Sequence, residues 1–180
     1  AALKIGKEIN NQELIIKAEK LRNLAASNIE KCYSQTKKAY TQAIGVDYLD
    51  ASCLKLISMG YLDSDSQRAK DHLMALENEL LSDSGYFFRY KHTDDFGIPQ
   101  NTFMVCSYWY AEALACLGRV EEATKVVEKL ISSGNHLGLL SEDVGLDGSQ
   151  WGNFPQTYSH VGLMNAVFRI SRKLDRPLYD

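Results

Sequence analysis

Charge comes and goes along this chain in strict alternation, and a chain so patterned has few ways to fold. Apolar periodicity predicts six helices, over residues 11–32, 48–59, 69–80, 102–117, 121–132 and 156–173. The first, third and fifth are densely charged: Lys17, Glu19, Lys20 and Arg22; Lys70, Asp71, Glu77 and Glu79 behind Arg68; Glu121, Glu122, Lys125, Glu128 and Lys129. The other three are nearly bare. Lys55 is almost alone in the second, Glu112 in the fourth, and the sixth carries nothing charged before Arg169. A helix neutral all round belongs in an interior, and an amphipathic charged helix covers it from the solvent side. The alternation therefore predicts helix pairs, each with an outer and an inner member. Two architectures meet that description, an open αα solenoid and a closed αα toroid.

Local signals sharpen the helices. Leu14, Ala18, Leu21, Ala25, Ile29 and Cys32 form one stripe, and Asn10 with Glu13 reads as a capping box ahead of it. Gly60 closes the second helix, Ser64 with Gln67 caps the third, and Gly118 follows the fourth. Pro155 falls at the first turn of the sixth. Residues 86–91 look extended and 93–100 form a loop. No run is long or regular enough to make a sheet, so residues 1–180 are expected to be a single all-α segment.

With 180 residues there is chain enough to bury one sizeable core. A net charge of −3, with lysines and arginines scattered, gives no footing for nucleic acid. No uncharged run approaches the roughly 18 residues of a membrane span, and the first residues show no leader pattern. Cys32, Cys53, Cys106 and Cys116 sit among apolar neighbours without metal-ligand spacing, and the four histidines are isolated from one another. Neither a metal nor a cofactor is expected. Buried free thiols suit a reducing compartment, and a cytoplasmic location is the expectation.

Chemistry concentrates in one stretch. Glu142 and Asp143 lie in a glycine-punctuated loop, followed by Gln150-Trp151-Gly152-Asn153-Phe154-Pro155-Gln156 and then by the uncharged helix. That is how a carboxylate is presented at the mouth of a pocket, although acidic pairs are also common in surface loops. A solenoid reading has its own support, since Trp109-Tyr110-Ala111-Glu112-Ala113-Leu114 with 117–123 looks like one tetratricopeptide helix pair. Such repeats need a fixed period of about 34 residues and at least three copies, and the spacing here is unequal. A helical interaction module without catalytic activity is the alternative that this leaves.

Three blocks in order carry a resemblance over most of the chain. They are Tyr40-Thr41-Gln42 with Leu49-Asp50-Ala51-Ser52; Phe88-Arg89-Tyr90 with Thr102-Phe103, Cys106-Ser107-Tyr108-Trp109 and Leu117-Gly118-Arg119; and the run from Asn135 to Ala166. Together they resemble the glucoamylase-like inverting glycoside hydrolases, glycoside hydrolase family 15. The resemblance implies an (α/α)₆ toroid, of which about three inner/outer pairs are present here, as the C-terminal half of a catalytic domain. It implies a carbohydrate substrate, an α-linked glucan, oligosaccharide or trehalose. The missing N-terminal half must come from another segment, another chain or nowhere, and without it the chain is expected to expose apolar inner-helix surface or to self-associate through it.

The same resemblance distributes roles. Glu142 matches the general base that activates water, and the general acid belongs to the absent half, so this segment alone is expected to be inactive. Asp143 is read as a hydrogen-bonding neighbour. Arg89 matches an arginine that binds sugar hydroxyls, its alternative being a structural salt bridge, and Tyr90 accompanies it. Trp151 is a sugar-stacking platform or a loop anchor. Gln156, with Tyr158 and His160, lines or supports the pocket floor.

Overall fold

Outer and inner helices follow one another along the chain as the charge does. The computed structural model describes residues 1–174. Helix α1 (Ala2–Glu8) and helix α2 (Gln12–Glu30) open it and pack on each other. Strands β1 (Tyr33–Ser34) and β2 (Ala39–Tyr40) make a small hairpin. A 3₁₀ turn (Ala51–Leu54) runs into the short α3 (Lys55–Ser58), and α4 (Gln67–Leu80) follows. Strand β3 (Thr102–Phe103) leads into α5 (Met104–Cys116), then α6 (Val120–Ser132). Strands β4 (Asp143–Val144) and β5 (Gln150–Trp151) precede α7 (Thr157–Lys173).

Helix α5 is the centre of the molecule. Every residue in it except Trp109 is buried, as expected of a helix with a single charge. It packs against α7 on one side and against α3 with its 3₁₀ turn on the other, while α6 covers α5 and α7. Gly162 permits the close approach of α7, since a Cβ there would lie 3.0 Å from Tyr108 Cδ2 and 3.2 Å from Val105 Cγ2. All three inner elements start at one end of the bundle: Ala51 N–H donates to Arg89 O, Met104 N–H to Glu142 O, and Gln156 N–H to Leu140 O. At the other end Arg169 donates to Ser58 O, beside Cys116. The inner helices are therefore parallel, with their N-termini, the positive dipole ends, gathered at one rim.

The single charges of α3 and α5 find each other. Lys55 Nζ lies 3.1 and 3.3 Å from the two Glu112 oxygens, with Trp109 beneath the ammonium. The outer α4 uses its inward polar groups in the same way. Glu79 accepts Leu49 N–H and the Lys37 ammonium, and Glu77 accepts Tyr110 O–H and an Arg119 N–H. His72 joins three elements: its Nδ1 accepts Tyr40 N–H (3.2 Å) and its Nε2 donates to Cys53 O (3.0 Å). That bonding fixes a neutral tautomer, and burial depresses its pKa from 6.5 to about 4.

A histidine buried neutral stabilises the fold fully above its unfolded pKa, and that stability is lost as pH falls through the folded value. The unfolding free energy from urea titration should accordingly drop between pH 6.5 and 4, by up to ~3 kcal/mol from this group. A His72→Gln variant, less stable at pH 7, is expected to show a flatter profile over the same window. An equally steep profile would assign the acid sensitivity to other groups.

Several sequence expectations are corrected. The helix expected over 48–59 is a 3₁₀ turn and one α turn at 51–58, because Leu49 and Ala51 spend their N–H groups on Glu79 and Arg89. The first cap is Asn11, whose side chain accepts Leu14 N–H; Asn10 has φ of 53° and separates α2 from the unanticipated α1. Ser66, not Ser64, caps α4. Small sheets do form, β1 with β2 and β3–β4–β5, from strands of two residues each, too short for a periodic signal.

Exposure departs from expectation at both ends of the row. The stripe on α2 is not buried: no residue of that helix is, and only Ile29 and Cys32, near its end, pack against the core. Helix α7 buries Ser159, Gly162, Ala166 and Ile170 but leaves Tyr158, Val161, Met164, Val167 and Phe168 open. Its sequence is that of an interior helix, yet this face is left open apart from the edge contacts of Tyr158 with Phe103 and Trp109.

Candidate active site

Glu142 is placed by backbone bonds made from both sides. Its carbonyl takes the first N–H of α5, from Met104 (3.0 Å), so a group that would be orphaned at the helix start is satisfied by the very residue it presents. Its own N–H donates to Asn153 O (2.9 Å). The first turns of α7 clamp the two preceding residues. Gln156 N–H donates to Leu140 O, Ser159 Oγ to Ser141 O, and Leu140 N–H to His160 Nε2. The His160 Nδ1–H in turn donates to Gln156 O (2.8 Å). This explains the polar run before α7 in physical terms: it is a backbone clamp.

The carboxylate is fixed through one oxygen. Oε2 accepts the backbone N–H of Asn153 (3.1 Å) and its Nδ2–H (2.9 Å), whereas Oε1 makes no hydrogen bond among the described residues. Gly152, at φ of 75°, brings the loop so near that a Cβ there would lie 2.9 Å from Oε2 and 3.0 Å from Glu142 Cβ. Both the left-handed backbone and the contact require glycine. Gly152 and Asn153 hold the Glu142 carboxylate, a support that sequence reasoning missed; their only signal was their place in the loop.

Asp143 pairs across β4 with Phe103 and Trp151 and stands half-buried beside Glu142. Desolvation, and secondly the Glu142 charge, push its carboxyl from 3.8 up to about 6. The folded state thus holds this proton more tightly, and the stability that brings is fully present below about pH 4 and lost as pH rises through about 6. Asp143→Asn should flatten that part of the stability profile. It should gain about 1 kcal/mol over the parent at pH 7, after discounting for solvent screening of a half-buried group. Chemical unfolding at pH 4, 5.5 and 7 measures both; a parent-like profile in the variant would show that the carboxyl carries no such strain.

A cavity of about 580 Å³ opens at this rim, lined by Arg89, Tyr90, Phe96, Pro99, Asn101, Phe103, Glu142 and Asp143. Its far wall is the 91–101 loop, held by the Tyr90 hydroxyl and by Phe96 N–H, both donating to Asp94. Phe96 is wholly exposed at the tip. Arg89 lies against the buried Asp50, Nε to Oδ2 3.6 Å, and over the Tyr90 ring. Arg89, Tyr90 and Glu142 thus meet in one concavity. Trp151 and Gln156 do not line it: Trp151 is 56% exposed on β5 with its N–H on Ser149, and Gln156 serves the clamp.

Helix pairs in a row, with inner N-termini converging on a carboxylate-bearing cavity, make this a segment of a helical-hairpin domain. The sequence matches the description of glycosyl hydrolases family 15 over residues 1–168, and the chain belongs to that family. It is 32% identical over 151 residues to a trehalase of Thermoplasma volcanium, covering 83% of this chain and 24% of that protein. With a trehalase of Mycobacterium tuberculosis it shares 35% over 141 residues, 76% of this chain and 21% of the other. Among solved structures it resembles a glycosidase (TM-score 0.73, 17% identity, 93% of this chain and 47% of that one). It also resembles a bacterial glucoamylase complexed with acarbose (TM-score 0.74, 14% identity, 97% and 32%). The fold is of the (α/α)₆-toroid type, represented here by three outer/inner pairs. The chain spans about a quarter of the length of the curated relatives it matches.

Proposed function

We propose that this chain supplies the general-base side of an inverting glycoside hydrolase acting on α-glucosidic bonds. The observation that carries the reading is that Glu142 and Arg89, from separate loops, meet in one cavity at the N-terminal rim of the inner helices. Oε2 of Glu142 is anchored by Asn153, which leaves Oε1 for a water molecule. In the proposed step the water loses a proton to Glu142 as its oxygen bonds to the anomeric carbon. The glycosidic C–O bond breaks, and the leaving oxygen takes a proton from a carboxylic acid. That acid must stand roughly 6.5–9.5 Å from Glu142 across the sugar, and we place it in the remaining part of the ring. Arg89 offers a planar fork of donors to vicinal hydroxyls, with Tyr90 beside it. Trp151 anchors the loop of the base or extends the sugar surface once the ring is complete.

The open face of α7 supports this division of labour. Tyr158, Val161, Met164 and Phe168 form the kind of apolar patch that further helix pairs cover, and without them the chain is expected to self-associate and to lack turnover. The four unpaired cysteines agree with a cytoplasmic protein. Relatives named as trehalases make trehalose the first substrate to test, with maltose and longer α-glucans beside it. The test is proton NMR of the ring-complete protein acting on each sugar. On trehalose the expected initial products are one β-glucose, from the attacked ring, and one α-glucose, the leaving ring, and on longer α-glucans the released sugar is β-glucose. Two α-glucose molecules from trehalose would exclude inversion, and no hydrolysis would leave the alternative of a helical interaction module.

A further inference from the structure

We infer that Asp50 is a positioning residue for Arg89, its buried carboxylate holding the guanidinium so that the terminal nitrogens address the cavity. This rests on the reading of Arg89 as a ligand for sugar hydroxyls. Asp50 is 1% exposed and lies under the cavity floor, among none of its lining residues. Its Oδ1 accepts Ser52 N–H (2.7 Å) and so caps the 3₁₀ turn. Its Oδ2 is buried and has no hydrogen-bond partner; its ion-pair partner is Arg89, Nε at 3.6 Å.

A cap explains only half of this residue. Serine or asparagine caps as well as aspartate does, and neither buries a charge. A buried carboxylate oxygen without a hydrogen bond is costly, so a charge kept in that place implies a task for it. Arg89 is what needs one. Its side chain is 55% exposed, and neither terminal nitrogen makes a hydrogen bond among the described residues. A long side chain free to wander would lose that freedom on every binding event; one already tethered at Nε loses less. The backbone sets the two in register, through Ala51 N–H donating to Arg89 O (2.8 Å). The Tyr90 ring, 5.8 Å from the guanidinium carbon, limits the swing on another side.

The test uses the ring-complete protein and its Asp50→Asn, Asp50→Ser, Arg89→Gln and Asp50→Asn/Arg89→Gln variants. Glucose and trehalose are titrated while the arginine Nε–Hε cross-peaks are followed by NMR. Both Asp50 variants retain a capping acceptor, so helix content and melting temperature should stay near the parent values. The Arg89 cross-peak should move to the position of a free arginine, and sugar affinity should fall by about tenfold, the scale of one charge-assisted hydrogen bond. Arg89→Gln should lose at least as much, and the double variant no more than Arg89→Gln alone. An unmoved cross-peak with unchanged affinity in Asp50→Asn overturns the inference, as do losses that add in the double variant. If Arg89→Gln binds both sugars as the parent does while Asp50→Asn still shifts the cross-peak, the sugar-binding role of Arg89 is what fails. Asp50 is then only an ordering contact.

Discussion

Glu142→Gln in the ring-complete protein is expected to lower kcat by about 10²–10⁴-fold, the usual contribution of one acid–base group. KM should stay within a few-fold of the parent. The amide is nearly isosteric, and its oxygen can still accept the two donors of Asn153 that hold Glu142 Oε2. The loop and the clamp from α7 therefore have no reason to move. What the amide cannot do is take a proton from water, and an interaction needed only in the transition state appears in kcat and kcat/KM together. Steady-state kinetics on trehalose or maltose decides this. Turnover within tenfold of the parent would remove Glu142 from the mechanism, and a large rise in KM alone would recast it as a binding group.

Lys55→Met is expected to destabilise the chain by about 3 kcal/mol, the low end of what removing one partner of a buried ion pair costs. Glu112 is 4% exposed on the most buried helix of the molecule, and Lys55 is its only ion-pair partner among the described residues. Methionine fills the volume of the lysine stem, so the loss reports the stranded carboxylate and not a cavity. Lys55→Met/Glu112→Leu should recover most of it, because a well-packed apolar pair replaces a buried ion pair at little or no net cost. Urea unfolding of the three proteins gives both numbers. A double variant no better than the single would mean that the pair serves the packing of α3 on α5 in some other way.

Both predictions grow from residues that were visible in the chain, and the reasons for their visibility differ. Lys55 and Glu112 stood out as the isolated charges of neutral helices, and the structure joins them. Helix α5 was legible throughout, since a run so poor in charge has only an interior to occupy. The same rule applied to α7 misses its exposure, since Tyr158, Val161, Met164, Val167 and Phe168 stay open among the described residues. The 48–59 segment misled because periodicity cannot foresee that Leu49 and Ala51 bond to Glu79 and Arg89, residues far along the chain.

In the site, Glu142, Arg89 and Tyr90 were named from motif and meet in one cavity, while Trp151 and Gln156 were named with them and lie off its wall. Asp143 passed as a polar neighbour, although half-burial beside another carboxylate brings it close to neutrality in its titration. Gly152, Asn153 and Asp50 went unmarked as supports, because each acts on a partner distant in sequence.

Pattern in the chain was sufficient for class: alternating charge dictates paired outer and inner helices, since charge must reach solvent and neutral faces must leave it. The family resemblance of the motif residues, and not their spacing, pointed to a carboxylate in a loop as the candidate chemical centre. Packing in three dimensions settled everything that depends on contacts between distant segments. It made a 3₁₀ turn of an expected helix, turned the polar run before α7 into a clamp for Glu142, and set a buried aspartate beneath an exposed arginine. Periodicity registers only neighbours within a few turns of a helix, whereas the hydrogen bonds and ion pairs that aim a side chain are made across the fold.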